Sequence, residues 1–445
     1  MRLPLTAPTL QELFAKIDLN ARLPKIFEAG IAPTVDGQYP HWDQLRHRTP
    51  PEGFSRDEWW MGLKFARANV SRALPLQGTS GARFGYCLTD ETLATLSWID
   101  QQAGGQILVS EGVTDSGNRS RYLVSSLMEE AITSSQLEGA TSTRKVAKDM
   151  LRTGRPPRDR SERMILNNYH AMTRISEVAA QPLTPDLVYE LHRILTEGTL
   201  DDPDAAGRPQ RAGEARVGVY DPEGQRVHNP PPADELPARM EALCRFANGD
   251  NSGGYIHPVM RAILLHLWLA YDHPFEDGNG RTARALFYWS MVSSKYWMFE
   301  FLSISRILRE APAAYARSFL YVETDEFDAT YFVLYQLAAI RRAINDLMEY
   351  MRRSTDEVRQ TERLLHESTL NHRQMALLTH AMRHPDAEYT VHSHATIHRV
   401  TPQSARTDLL DLETRGLLER RQAGKKFVFR PAPNLAHLTP TGGLH

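Results

Sequence analysis

A short polar segment between two apolar runs constrains this sequence more than any other feature. One run extends from Ala262 to Tyr271 and the other from Ala285 to Val292, and between them residues 273–284 read HPFEDGNGRTAR. Apolar runs of this kind are typical of buried helices, whereas Gly, Asn and Asp favour a tight loop. The sequence therefore predicts two buried helices joined by a polar loop.

The residue types in and after this loop suit the binding of a polyphosphate. Gly278, Asn279 and Gly280 allow positive φ and let backbone N–H groups turn inward, close to the N-terminus of a helix whose dipole favours an anion. Arg281 and Arg284 are three positions apart, so they share one helix face and can donate to phosphate oxygens. Together they predict an anion site.

Two further residues of the loop add metal and acid–base chemistry. Asp277 offers the hard oxygen ligand that Mg²⁺ takes alongside substrate phosphates. His273 can accept a proton near neutral pH. The alternative is a capped helix junction with a core histidine and surface arginines. A lone His or a lone Gly-Asn-Gly would favour that alternative, whereas the whole ordered set favours a catalytic site.

The stretch resembles the signature of the Fic family, His-x-Phe-x-(Asp/Glu)-Gly-Asn-Gly-Arg-x-x-Arg, and matches every specified position. The resemblance implies an enzyme that transfers AMP from ATP to a Ser, Thr or Tyr hydroxyl of a protein target or of the chain itself. It implies that His273 deprotonates the hydroxyl and that Asp277 holds Mg²⁺ on the α- and β-phosphates. The anion hole would be residues 278–280, and Arg281 and Arg284 would bind the outer phosphates.

A helix upstream carries a second feature of that family. Residues 118–139 read as a helix that Gly139 ends as a C-cap, with Ser134 and Glu138 on one face of its last turn. A buried Glu needs a cation, and Arg284 is the candidate. In the Fic family a Ser/Thr-x-x-x-Glu-Gly/Asn helix lies over the active site, so the resemblance implies that this helix is inhibitory. In isolation, a solvated helix end would look the same.

Residues 213–232, GEARVGVYDPEGQRVHNPPP, predict a β-hairpin. Residues 216–220 alternate like a strand, 221–224 have the composition of a type I turn, and 225–228 return before the prolines. On its own this is only a hairpin on a helical domain. The resemblance implies a flap that binds the target segment as an added strand. The side chains assigned to target binding are Val217, Val219 and Val227.

The 445 residues and their 41% hydrophobic content support two or three domains with real cores. We expect a mainly α protein with a helical extension over residues 1–110, a Fic-type helical bundle over 111–352, and a connector helix and small domain over 353–445. Helices at 373–382, 393–400 and 402–414, followed by a hairpin at 417–430, resemble a winged helix-turn-helix. Such domains bind DNA or dock proteins, and the sequence does not distinguish these two functions. Formation of a homodimer is a further possibility that the sequence leaves open.

Charge and cysteine content exclude several classes of protein. A net charge of −2 gives no global attraction to nucleic acid or to an anionic membrane. Cys87 and Cys244 are too few and too far apart for a disulfide scaffold or a metal site, and we expect both to be buried. The N-terminus lacks an apolar leader and no run approaches the ~18 apolar residues of a membrane span. We therefore expect a cytoplasmic protein with no membrane partner.

Other functions remain open at this stage. Related Doc kinases carry Lys where this chain has Gly280, so nucleotidyl transfer is favoured over kinase activity. Glu138 could instead align a water so that the same site removes AMP from a modified protein, or the chain could be a DNA-binding regulator that senses nucleotide. Tyr315 and Tyr331 are both candidates for the adenine pocket, and His266, among apolar neighbours, is expected in the core.

Overall fold

The computed structural model describes residues 3–104, 116–221, 223–250, 254–366, 370–383, 387–423, 426–432 and 435. For residues 116–124, 354–366, 382–383, 423 and 426 it describes the backbone alone. The chain divides into two compact units, Met1–Leu347 and Met348–His445. Within the described residues, no helix is both long and apolar enough to cross a membrane.

The first unit is mainly helical. Its α-helices are α1 (Leu10–Lys16), α2 (Leu19–Glu28), α3 (Trp42–Leu45), α4 (Arg56–Val70), α5 (Asp90–Ala103), α6 (Ser116–Leu137), α7 (Arg144–Thr153), α8 (Arg160–Val178), α9 (Pro185–Thr196), α10 (Leu236–Ala247), α11 (Pro258–Asp272), α12 (Asn279–Ser293), α13 (Ile304–Glu310), α14 (Pro312–Thr324) and α15 (Thr330–His366), the last of which runs beyond Leu347. Its strands are β1 (Ser71–Gln77), β2 (Arg83–Cys87), β3 (Val219–Tyr220) and β4 (Arg226–His228), and single 3₁₀ turns lie at Pro203–Ala205, Ala233–Glu235 and Trp297–Glu300.

The two apolar runs form the centre of this unit, as the sequence predicts. Helix α11 begins at Pro258, where the fixed φ of proline suits the first helical turn, and nearly all of its residues are buried. Helix α12 is equally buried and packs along α11 and against α8 and α9. Because both helices lie in the core, the loop between them is held rigidly from both sides.

The N-terminal extension has its own apolar cluster, in which Leu13, Trp59 and Trp60 are buried. A two-stranded sheet of β1 and β2 follows α4. The two strands pair antiparallel, with Ser71 opposite Cys87. β1 follows α4 without an intervening turn, and its sequence SRALPLQ lacks clear alternation and contains a proline, so no strand pattern marks it.

Helices α13 and α14 are separate, because Pro312 begins α14 after a single intervening residue. One sequence prediction in this unit needs correction. The strand expected at 216–220 contains only Val219 and Tyr220. It is shorter because the N–H of Val217 donates to Oε1 of Gln210 at 3.3 Å and not to the facing strand. The flap at 213–232 is therefore mostly irregular, with a short two-stranded tip.

The second unit has the element order that the sequence predicts. It contains α16 (His372–Arg383), α17 (Val391–His398), α18 (Pro402–Thr414), β5 (Leu418–Ala423) and β6 (Lys426–Pro431). The two strands pair antiparallel, with Leu418 opposite Pro431. Leu378, Leu409 and Phe429 are among the buried side chains that join the helices to this hairpin.

Candidate active site

His273 lies at the C-terminal end of α11, in a left-handed conformation with φ 45° and ψ 51°. Such a conformation is uncommon for a residue other than glycine. Burial is the main cause that lowers the pKa of His273 to about 4, and the nearby His228 lowers it further. The backbone of Ala270 acts in the opposite direction but does not cancel these effects. At neutral pH the imidazole is therefore uncharged, and one of its ring nitrogens can accept a proton.

The loop after His273 closes on itself through Asn279. The side-chain Oδ1 of Asn279 accepts from the N–H of Phe275 at 2.9 Å, and its Nδ2 donates to the Phe275 carbonyl at 2.8 Å. Gly278 precedes the first residue of α12 with φ 81°, and a Cβ there would lie 2.7 Å from the methyl carbon of Thr196. Only glycine fits this position, which leaves the N-terminus of α12 open to a ligand.

Asp277 lies at the edge of this loop with its side chain 43% exposed. Its Oδ1 accepts from the N–H of Gly278 at 2.6 Å, while Oδ2 lies 3.4 Å from Nη2 of Arg281 and 3.7 Å from Nη2 of Arg160. No cluster of three or more His, Cys, Asp or Glu side chains among the described residues could hold a metal. Mg²⁺ bound mainly through phosphates needs only one or two carboxylates, so Asp277 fits that role.

The two arginines of the motif are both buried, but they differ in their contacts. Nη1 of Arg281 donates to the carbonyl of Leu195 at 2.7 Å, and its Nε has no hydrogen-bond partner. Arg284 donates from Nε to Oγ of Ser134 at 2.9 Å and from Nη2 to the Ser134 carbonyl at 3.0 Å. Arg281 thus supports the loop from α9, whereas Arg284 is held by the end of α6.

The contact predicted between Glu138 and Arg284 is present. Oε1 of Glu138 accepts from Nη2 of Arg284 at 2.9 Å. A Cβ on Gly280 would lie only 2.1 Å from that carboxylate oxygen, so glycine is required for Glu138 to approach the loop. Gly139, with φ 92°, follows directly where the chain leaves α6. The carboxylate therefore lies against the backbone that would bind an anion.

Of these residues, His273, Gly280, Arg284 and Glu138 border a cavity of about 230 Å³, whereas Ser134, Gly139, Asp277, Gly278, Asn279 and Arg281 do not line it. It is lined by Phe84, Glu138, Val219, Val227, His228, Leu267, Ala270, Tyr271, His273, Gly280, Arg284, Tyr315, Ala316, Phe319, Leu320, Val322 and Glu323. Of the three flap valines, Val219 and Val227 are in this lining and Val217 is not. The cavity thus joins the base, the glycine loop, the Glu138–Arg284 pair and the flap.

Of the two tyrosines proposed for the adenine pocket, the structure places only Tyr315 at the cavity. Tyr331 is buried elsewhere, where its hydroxyl donates to Asp325 at 2.7 Å. Nε2 of His266 lies 2.8 Å from the hydroxyl of Tyr315. His266 is buried, and burial lowers its pKa to about 3, so its assignment to the core is confirmed.

Sequence reasoning missed three residues beside the base. Arg216 and His228, on the flap segment, and Glu323, on α14, all lie close to the end of α11. His228 and Glu323 are 95 positions apart, and no local periodicity links residues so distant. The only signal was a polar residue, His228, two positions before a run of prolines.

Residues 182–291 match the Fic/DOC family. The Fic protein adenylyltransferase of Drosophila grimshawi is 34% identical over 158 residues, which cover 34% of this chain and 30% of that protein. The same-named protein of Drosophila melanogaster is 44% identical over 59 residues, 13% of this chain and 12% of that one. The chain therefore matches only a minor part of these curated relatives.

A crystal structure of a Fic family protein from Desulfovibrio desulfuricans shares the fold. The TM-score is 0.54 at 21% sequence identity, and the match covers 78% of this chain and 98% of the other. At this identity the likeness concerns the fold alone. The family match includes the flap and the loop from His273 to Arg284, whereas Glu138 lies before it.

Proposed function

Because residues 182–291 match the Fic/DOC family, we propose that this chain transfers AMP from ATP to a hydroxyl side chain of a protein target or of itself. The observation that carries the proposal is the cavity that a neutral His273 lines together with Gly280 and Arg284. A proton acceptor next to an anion site is what nucleotidyl transfer to a hydroxyl requires.

In the proposed reaction, the target hydroxyl oxygen attacks the α-phosphorus of ATP. Its proton passes to a ring nitrogen of His273, a new P–O bond forms, and the bond between the α-phosphorus and the bridging oxygen breaks. Pyrophosphate leaves with the electron pair of that bond. The protein makes no covalent intermediate, so its contribution is positioning and charge stabilisation.

The phosphates would be held by the N–H groups at the start of α12 and by Arg281 and Arg284. Asp277 would hold Mg²⁺ together with the phosphates, and the bound ion would supply neutralisation of their negative charge. The flap would hold the target segment by backbone pairing at its short strands, with Val219 and Val227 against the cavity.

The end of α6 would keep this reaction slow. Ser134 and Glu138 occupy Nε and Nη2 of Arg284, and the carboxylate lies against Gly280. A negative carboxylate at this place repels a phosphate. It also binds the Arg284 guanidinium that would otherwise bind the phosphate. ATP bound beside it would lose the alignment of its α-phosphorus with the target hydroxyl, which is autoinhibition.

Removal of AMP is a second candidate for the same site. The Glu138 side chain is 29% exposed and borders the cavity, so its carboxylate could orient a water toward a modified hydroxyl. The two directions separate in one experiment. Protein that carries a labelled AMP group is incubated with the enzyme and Mg²⁺ without ATP, and release of AMP supports removal.

Transfer is tested by incubating a cell lysate with α-labelled ATP and four forms of the protein: wild type, Glu138→Gly, Glu138→Gly with His273→Ala, and Arg174→Gln. We expect labelled protein bands with Glu138→Gly that vanish when His273 is also replaced. Arg174 forms surface ion pairs with Glu177 and Glu190, so its variant controls for loss of a charge and should behave as wild type. No labelling by Glu138→Gly would contradict the proposal.

A further inference from the structure

Four successive backbone carbonyls, those of residues 271–274 at the end of α11 and just after it, accept hydrogen bonds from the segment 210–228. Tyr271 accepts from Nε2 of His228 at 2.7 Å, Asp272 and His273 accept from Nη2 of Arg216 at 2.7 and 3.1 Å, and Pro274 accepts from the N–H of Gln210 at 2.8 Å. The last carbonyls of a helix have no partners within it. Here residues 210–228, which include the two strands of the flap, supply the hydrogen-bond donors.

Arg216 joins both ends of the flap to the turn that carries the base. Besides the two carbonyls of that turn, its Nε donates to the carbonyl of Pro231 at 2.7 Å and its Nη1 donates to Oε1 of Gln210. Gln210 precedes the flap and Pro231 follows its second strand. A single half-buried guanidinium therefore fixes where the flap begins and ends relative to His273.

His228 makes the second connection, at the end of β4. The Tyr271 carbonyl can only accept, so Nε2 of His228 must carry a proton. Nδ1 faces both carboxylate oxygens of Glu323, at 2.8 and 2.9 Å. His228 is thus tied to α11 and α14 at once.

We propose that Arg216 and His228 are positioning residues that set the distance between the target segment on the flap and the imidazole of His273. This inference rests on the proposed function, because it assumes that the flap holds the target. In the proposed reaction neither residue is the base or a phosphate ligand. Each acts by hydrogen-bonding the flap to the turn that carries His273. The position of a target strand paired with the flap is thereby fixed relative to the His273 imidazole.

The test compares Arg216→Met, Arg216→Lys and His228→Gln in the Glu138→Gly background, with Arg174→Gln as the charge-loss control. Transfer to the protein target is measured beside hydrolysis of ATP to AMP by water, which needs no flap. Misplacement of reacting groups by about 1 Å can cost about 10²-fold. We expect Arg216→Met and His228→Gln to lower transfer by about that factor, to lower hydrolysis much less, and to leave ATP affinity unchanged.

Arg216→Lys should recover part of the transfer, because an ammonium can still donate to some of the same carbonyls. A proportional fall of transfer and hydrolysis would show that these residues only support the fold of the site and would overturn the proposal. Unchanged transfer in both Arg216→Met and His228→Gln would overturn it as well.

A readout that needs no activity separates this inference from the proposed function. Arg226 is exposed on β4, so trypsin should cleave after it faster in Arg216→Met and His228→Gln than in the parent or in Arg174→Gln. If no form of the protein transfers AMP, the proposed function fails, and the cleavage rates still report on the connection. Equal cleavage rates in all four proteins would show that the flap is not held by these residues.

Discussion

Nη2 of Arg284 and Oε1 of Glu138 lie 2.9 Å apart although 146 positions separate the two residues along the chain. The guanidinium side chain is 4% exposed and the carboxylate side chain is 29% exposed. Burial is the largest single effect and would lower the pKa of Arg284, but the Glu138 charge and hydrogen bond, together with Tyr315 and Glu130, outweigh it, so the pKa is raised. Glu138 therefore balances the charge of the buried Arg284 guanidinium. In the proposed reaction, a phosphate of ATP needs that same guanidinium.

The transfer rate should depend on pH through His273. Its pKa is lowered to about 4, chiefly by burial, so the imidazole is neutral and able to accept a proton at all higher pH values. We expect the rate of the Glu138→Gly protein to be nearly constant from about pH 6 to 8 and to fall only as the pH approaches 4. Single-turnover rates across this range, with folding checked by circular dichroism, would measure it. A rate that falls below pH 7 would contradict a base with so low a pKa.

Asp277 should determine the Mg²⁺ requirement. Removing its carboxylate in Asp277→Ala leaves only phosphates and water to hold the ion, so half-maximal activity should need at least about tenfold more Mg²⁺, the range expected for losing a metal-holding group. A Mg²⁺ titration of transfer measures this shift. Glu276→Ala changes the neighbouring carboxylate in the same loop and is the matched control. Identical titration curves for Asp277→Ala and its parent would exclude Asp277 as the ligand.

The ion pair between Arg239 and Asp272 should matter for stability in a pH-dependent way. Burial raises the pKa of Asp272 to about 6, although Arg239 opposes this rise, and the two side chains are 2.7 Å apart. At pH 7 the folded protein holds an ionised Asp272, so Arg239→Met should lower the free energy of unfolding by about 3–5 kcal/mol. Urea unfolding measures this loss.

The sign of the pH effect follows from the raised pKa. Below about pH 6 the folded protein keeps Asp272 protonated, and a neutral carboxyl needs no cation. The difference between Arg239→Met and wild type should therefore shrink as the pH falls from 7 to 5. Asp272→Asn combined with Arg239→Met should recover part of the loss at pH 7. An equal loss at both pH values would mean that Arg239 acts through packing alone.

The sequence predicted those parts of the molecule that depend on local patterns. The buried helices around the motif, the helix end at Glu138 and the helix–hairpin order of the second unit all follow from periodicity, capping residues and glycines. The contact of Glu138 with Arg284 was predicted because a buried carboxylate needs a cation and the chain offered a candidate. The hydrogen bonds from Arg216 and His228 to the carbonyls of residues 271–273 were not predicted, because they join side chains to backbone carbonyls. Any polar side chain can form such bonds, so no residue pattern marks them.

Removal of the Glu138 carboxylate should activate the protein. Glu138→Gly frees Nη2 of Arg284 for an outer phosphate, and the α-phosphorus can then align with the target hydroxyl. Because alignment can contribute roughly 10²-fold, we expect labelling of target or of the chain itself to rise at least about tenfold. Active-site substitutions ordinarily lower activity, so a gain distinguishes release of inhibition from damage to the site.

Two further variants make this last prediction specific. Glu138→Gln keeps the size of the side chain and removes its charge, so it should give a smaller gain, because the amide oxygen can still accept from Arg284. Glu138→Gly with Arg284→Ala should lose the gain, since the released cation is gone. Gel labelling with α-labelled ATP compares the four proteins directly. If Glu138→Gly labels no more than wild type while it remains folded, the carboxylate does not restrain transfer, and its place beside Gly280 is better explained by orientation of a water for AMP removal.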